Sequence, residues 1–393
     1  MDEKNSYDRD LGMRSPVKNI FAFLLALFCV APAGVMAARY DAHLGNVVGS
    51  ARMLGLAGAS RSEGESFESS FFNPAGLSWM KGHWDGDLSF GFFNQGFKSR
   101  DTFLDVSQDS FFFVQAGVSH RFVRWPKLAA GLGLQVPYGF SLSGSGNSDF
   151  DELNRISFSF EYSTLSLPVS YQVKDNLSVG LSLRSSLATM RFSSFSQDST
   201  AENPKSTESV FGVGFDVGAI YQYNSRQRYG LTYHYGESLN FDERANIDVL
   251  GFDPYREAKR PHQIFLGSSY QWSPRLESFH DVGVVFGMGD TVVPGSGMSS
   301  SLPAISSGQS ISFSYHLGVE YELLPKRLQV RAGHYYQPAR SDLDPQRFHV
   351  TVGATYHVWL LHFAGAFDWA KDYHHLSLSA GPSLQWGGAS ARR

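Results

Sequence analysis

Between about residues 84 and 386 the chain alternates apolar with small or polar residues, run after run. Leu177, Val179, Leu181 and Leu183 alternate with Ser178, Gly180, Ser182 and Arg184. Phe348, Val350, Val352, Ala354, Tyr356 and Val358 do the same against His349, Thr351, Gly353, Thr355 and His357. The last run sets Leu376, Leu378, Ala380, Pro382, Leu384 and Trp386 against His375, Ser377, Ser379, Gly381, Ser383 and Gln385. A period of two puts every apolar side chain of a strand on one face. A soluble sandwich would alternate in the same way, so the connections have to decide.

About fourteen strands can be drawn, near 85–93, 110–122, 128–142, 156–173, 177–192, 209–223, 229–243, 261–272, 280–289, 311–322, 328–336, 347–358, 361–369 and 374–386. Many reach ten residues, against a usual length of about five or six. Arg124-Trp-Pro-Lys, Lys174-Asp-Asn, Asn224-Ser-Arg-Gln-Arg, Ser273-Pro-Arg-Leu-Glu and Leu324-Pro-Lys-Arg are short connections. Between them lie longer polar stretches around 94–109, 143–155, 193–208, 244–260 and 290–310. Short turns on one rim and long loops on the other mark an outer-membrane barrel, all-β and antiparallel. Closure follows because every backbone group facing lipid must be paired. Parity then turns Arg184, Asp216, Glu320, Arg331 and Asp368 into the lumen. Tyr221, Tyr223, Tyr321, Tyr356 and Trp386 fall on the outer face near strand ends, as an aromatic girdle requires.

Composition agrees. There are 39 Gly and 32 Phe, aromatic residues make up 15%, and charged residues only 18%. A net charge of -4 gives no basic face for nucleic acid. At the N-terminus Arg14 and Lys18 flank an apolar run, 20–30, that ends at Val35-Met36-Ala37. This predicts a cleaved signal peptide over 1–37, with Met13 as an alternative start. Cys29, the single cysteine, lies within that run, so the mature chain has no thiol chemistry. Residues 84–386 are read as the barrel and 387–393 as a tail.

Residues 38–83 show no clean alternation and end in "SSFFNPAGLSWM" (69–80). Asn73-Pro74-Ala75-Gly76 reads as a tight turn, with Pro fixing φ and Gly admitting positive φ. Phe71, Phe72 and Trp79 around it need something to bury against. A plug inside the lumen, a hatch, meets that need. Phe71 and Phe72 are expected on the barrel wall, and Trp79 near the rim where the chain enters the first strand.

Gly49-Ser-Ala-Arg-Met-Leu-Gly-Leu-Ala-Gly-Ala59, together with Asn73-Pro74-Ala75, resembles the N-terminal hatch of the FadL type of outer-membrane transporters for long-chain fatty acids and other hydrophobic compounds. The resemblance continues in "GLGLQVPYGFSL" (131–142), "LSLPVSYQVKDNLSVGLSL" (165–183) and "RLQVRAGHYYQP" (327–338). It implies a fourteen-stranded barrel, a hatch over the lumen, and a ligand that leaves sideways at a kinked third strand. Pro137, Tyr138 and Gly139 fall in that strand. Pro cannot donate to a ladder and Gly permits a bend. Arg39 and Tyr40 are candidate contacts to ligand or plug. The loops near 143–155 and 193–208 are rich in Ser, Asp and Gly, whereas the best-known members carry apolar helices there.

The expected function is passive uptake of a hydrophobic small molecule, fatty-acid-like or aromatic, by a monomer in a Gram-negative outer membrane of lipid and lipopolysaccharide. The alternatives are a secretion or assembly barrel of the same type, an open porin and an outer-membrane enzyme. Of the 13 His, His234, His316, His349, His357, His362 and His375 face the lumen by parity. None has metal-ligand spacing, and His349 and His357 are roughly 27 Å apart along one strand. No metal, no cofactor and no catalytic residue is expected.

Overall fold

The computed structural model describes residues 49–64, 66–95, 104–108, 111–146, 155–195, 205–240, 257–260, 262–286, 311–337, 346–359, 361–371 and 373–382. The expected signal segment, Arg39, Tyr40, Trp386 and the tail lie outside them.

The strands in chain order are β1 (Trp84–Gln95), β2 (Leu104–Gln108), β3 (Phe111–Arg121), β4 (Leu128–Gly146), β5 (Arg155–Lys174), β6 (Leu177–Phe195), β7 (Lys205–Asn224), β8 (Gln227–His234) and β9 (Glu237–Asn240). They continue as β10 (Glu257–Arg260), β11 (His262–Ser273), β12 (Leu276–Phe286), β13 (Ile311–Leu324), β14 (Leu328–Gln337), β15 (Arg347–Val358), β16 (Leu361–Ala370) and β17 (Tyr373–Pro382). From β3 to β8 and from β11 to β17 each strand pairs antiparallel with the next; β1 pairs with β3, β8 with β11, and β1 with β17 from Leu88–Ala380 to Gln95–Tyr373, which closes the ring. β2 and β3 continue one another along β4, and β9–β10 continues the β8–β11 register. The result is a closed 14-strand antiparallel barrel.

Alternation decides which face is which. Leu181, Leu183, Phe348, Val350 and Val352 are exposed outward, while Ser182, Arg184, His349 and Thr351 are buried within. The inward charges named from parity are there too: Arg184, Asp216, Arg331 and Asp368 are each at most 4% exposed. Of the girdle tyrosines, Tyr221, Tyr223, Tyr321 and Tyr356 all face outward.

Strand ends run further than the polar sequence suggests. β4 to β7 have 19, 20, 19 and 20 residues, whereas about 9–11 suffice to cross the apolar layer. Their Ser- and Gly-rich ends, expected as loop, stay paired as far as Arg155–Phe195 and Ser193–Lys205. In sequence those ends are mostly Ser, Gly and charged residues, so no alternation betrays them. The ninth strand was expected at 280–289. It begins instead at Leu276, because Pro274 and Arg275 alone form the turn.

Before the barrel, helix Ala51–Gly55 starts on Ser50, whose Oγ accepts from Met53 N at 3.3 Å. It ends through two residues of positive φ, Ala57 (57°) and Gly58 (74°), with Gly58 N donating to Met53 O. That is a left-handed helix stop. A second short helix covers Ser69–Phe72. The expected Asn73–Gly76 tight turn is instead the start of a 3-10 helix, Pro74–Trp79, with Pro at its first position and Asn73 as cap. Gly76 has no positive φ. It is small because a Cβ there would come 2.7 Å from the Glu63 carbonyl.

Candidate functional site

Residues 49–80 lie against the inner wall, and glycines of the wall make room for them. Four such glycines face each other across ladders as Gly180–Gly218 and Gly230–Gly267; Gly117–Gly133 and Gly318–Gly333 repeat the arrangement. A Cβ at Gly230 would overlap the Arg61 carbonyl, and one at Gly180 the Pro74–Ala75 peptide. One at Gly318 would stand 2.6 Å from Leu56 O. These inward positions admit backbone where any side chain would exclude it.

Polar side chains of the wall then take up the backbone groups of the segment. Asp281 Oδ2 accepts from Ser60 N and Arg61 N at 2.8 and 3.0 Å. His316 Nδ1 donates to Ala57 O at 2.7 Å, and Thr351 Oγ1 to Gly55 O at 3.1 Å. Ser170 and Ser178 each donate to Ala75 O at 2.9 Å, and Trp79 Nε1 donates to Ser178 at 2.6 Å. Asn73 Nδ2 reaches both Arg61 O (2.6 Å) and Ala219 O (3.2 Å). Buried backbone groups left unpaired would cost on the order of 1–3 kcal/mol each, so the wall stabilises this one path of the segment.

Charge is buried along the same contact. Arg52 pairs with Glu63, and lies 3.6 Å from Glu68 and 3.3 Å from Glu320. Glu320 also accepts from Arg331 Nε at 2.6 Å. Burial pushes the Glu68 carboxyl up to about 8; Arg52 opposes this, while Glu63, Asp87 and Asp85 add to it. Arg61 lies over the rings of Phe72 (4.8 Å) and Phe265 (4.1 Å), with Asp281 at 3.8 Å. Burial brings its guanidinium down to about 10 despite Asp281 and Asp216.

Beyond the segment a belt of buried rings follows the wall. His234 meets Phe265 (5.9 Å between centroids), Phe265 meets His316 (6.2 Å), and His316 stacks on Tyr335 (5.4 Å). Tyr335 stacks on His349 at 4.1 Å, His349 meets Tyr373 at 4.8 Å, and His375 meets Phe113 at 5.1 Å. Asp368 fixes the middle of the belt, accepting from Tyr335 Oη at 2.7 Å beside His349 Nδ1 at 3.0 Å.

The belt ends where the wall is interrupted. Among the described residues, the β3–β4 ladder stops at Val114–Val136, and pairing of β4 on that side is next present at Gln108–Leu142. On its other side, β4 shifts register against β5 between Gln135 and Tyr138. Pro137 sits at both faults. It has no N–H to give and bulges the strand.

Residues 46–278 match the model of the outer membrane protein transport family (OMPP1/FadL/TodX). The chain belongs to this family. Solved structures share the fold of this FadL/TodX-family member at low identity. A Pseudomonas aeruginosa FadL homologue is 16% identical over 88% of this chain and 100% of its own, with a TM-score of 0.62. The Ralstonia pickettii toluene transporter TbuX is 16% identical over 86% and 97%, with a TM-score of 0.61. The Pseudomonas putida toluene transporter TodX is 14% identical over 88% and 100%, with a TM-score of 0.60. No curated protein sequence matches significantly.

In this FadL/TodX-family barrel, Phe71 sits on Gly133 of β4, where a Cβ would be 2.5 Å from its ring. Phe72 instead joins Met53, Leu56, Ala59 and wall Phe279. Asn73, Pro74 and Ala75 face β6 and β7 through Gly180 and Gly218. Pro137, Tyr138 and Gly139 share the faulted stretch of β4, with Tyr138 opposite Tyr162 and Gly139 opposite Glu161. Sequence reasoning missed Asp281, Arg61 and the Arg52–Glu63–Glu68 cluster, and it placed Asp368 in the lumen without its Tyr335 and His349 partners. Glycines at inward parity were the available signal, since a lumen open to water has no need of them.

Proposed function

We propose that this chain is a passive channel for hydrophobic small molecules across the outer membrane. The 38–83 segment acts as a hatch closing the axis, and the exit runs sideways at β4. What supports the reading is the conjunction of a segment, 49–80, bonded to the inner wall with a β3–β4 ladder that lapses at Pro137. A molecule entering the lumen meets the segment below and an unzipped wall beside it. Lateral release delivers an apolar ligand to lipid, which suits its partition. The transporter relatives support this reading.

The test is reconstitution in planar bilayers and in liposomes, with ion conductance and uptake of labelled aromatic and fatty-acid ligands measured together. Low conductance with saturable uptake is expected, and deletion of 38–83 should raise conductance. Large steady conductance of the intact chain, or neither uptake nor binding of any hydrophobic ligand, would overturn the proposal.

A further inference from the structure

The short-turn rim carries a pattern the lumen does not use. The β3–β4 turn exposes Arg124, Trp125 and Lys127, and the β5–β6 turn exposes Lys174. Arg226 is exposed between β7 and β8, Arg275 between β11 and β12 beside Trp272, and Lys326 and Arg327 between β13 and β14. Among the described residues of these turns, Asp175 is the exposed carboxylate. The remaining turn, between β15 and β16, has no cation in its sequence but begins with Trp359, which is 96% exposed. Trp359 has φ 53°, a conformation that a Cβ-bearing residue rarely adopts. A turn facing only water would favour Gly or Asn there. Val358 and Leu361 beside it are exposed too.

Cations spread over five turns, with indoles at 65%, 61% and 96% exposure among them, make a headgroup-level chemistry. Guanidinium and ammonium groups pair with phosphate, and indole rings rest at the membrane interface. Short turns of such barrels face the periplasm. We propose that this rim docks anionic phospholipid headgroups of the periplasmic leaflet, with Arg124, Lys127, Lys326 and Arg327 as principal phosphate contacts and Trp359 as an interfacial anchor. The inference rests on the barrel lying in the membrane as proposed above, but not on what the channel carries. Charge complementarity selects the occupant, since zwitterionic lipid gains little from net positive turns.

The test uses the full chain in detergent, titrated with phosphatidylglycerol or phosphatidylcholine and read by native mass spectrometry. The R124Q/K127Q/K326Q/R327Q variant is compared, with folding checked by heat-modifiable migration. Wild type should bind phosphatidylglycerol at least about five-fold more tightly, and the variant should lose that preference. Equal binding of both lipids by wild type, or a preference kept by the variant, would overturn the proposal. So would a stronger preference for lipid A that the same substitutions abolish, or a soluble protein held by the rim without lipid preference. Ligand uptake is scored separately on the same preparations. Lipid preference without uptake keeps this inference and sinks the channel reading, and the reverse result does the opposite.

Discussion

The carboxylate of Asp281 accepts the backbone N–H of Ser60 at 2.8 Å, joining positions 221 residues apart in sequence. The same oxygen takes the N–H of Arg61 and stands 3.8 Å from its guanidinium. Asp281→Ala removes all three interactions and leaves buried Arg61 without its ion-pair partner, with only Asp216 acting on it from further off. The expected cost to seating of the segment is about 3–5 kcal/mol. Limited proteolysis within 49–64 and conductance should both rise, with Asp281→Asn milder because its amide oxygen still accepts. If neither readout moves in the alanine variant, Asp281 does not secure the segment.

Gly230 and Gly218 separate two kinds of close approach. A Cβ at Gly230 meets the backbone of Arg61, which cannot swing away, whereas one at Gly218 meets the side-chain tip of Asn73. Gly230→Val should therefore unseat the segment and raise conductance well above the effect of Gly218→Ala, while the barrel still folds. Equal conductance in the two variants would show that the wall glycines are not receiving the segment.

The pH dependence turns on Glu68. Its pKa rises from 4.5 to about 8 when the segment is seated, so the seated state holds a proton that the released state gives up between those values. Seating is then strongest at acid pH and weakens as pH climbs from about 4.5 through about 8. Conductance should be lowest near pH 5 and grow towards pH 8, and Glu68→Gln should flatten the curve. A wild-type profile that falls with rising pH contradicts this sign.

If ligand leaves at β4 as proposed, restoring the third barrel strand should block that exit. Pro137→Val returns an N–H to the ladder and Gly139→Val stiffens the bend, each by on the order of 1 kcal/mol. The double variant should fold, keep low conductance and lose most ligand uptake in liposomes. Undiminished uptake would place the exit elsewhere.

Trp359 can be relieved of its left-handed backbone. Trp359→Gly should stabilise the barrel in detergent by about 1 kcal/mol, read as a higher unfolding midpoint. A lower midpoint would mean that the indole makes intramolecular contacts that its 96% exposure argues against.

The barrel was legible because lipid leaves the outer face no choice: Leu181, Val350 and Leu378 must be apolar, so the period survives in every strand. Turn lengths told a barrel from a sandwich, and the alternation within each strand gave the lumenal faces of Arg184, Asp216 and His349. The lumen itself obeys no period. Asp281 and Ser60 come together only through closure of the ring, and nothing local at either position signals it. Asn73-Pro74 was visible as a break in the chain, yet Pro serves the first turn of a helix as well as a tight turn. The Ser-rich ends of β4 to β7 were misjudged because strands clear of the bilayer need no apolar face.

The paired glycines carry a mechanical consequence. A ladder stretch without side chains has little to brace it against bending, and here such stretches recur within six residues of the short-turn strand ends, at Gly180–Gly218, Gly230–Gly267 and Gly318–Gly333. The segment lying across them acts as a splint. Any event that lifts it would soften the cylinder at that height, so loosening of the interior and deformation of the cross-section should come as one motion.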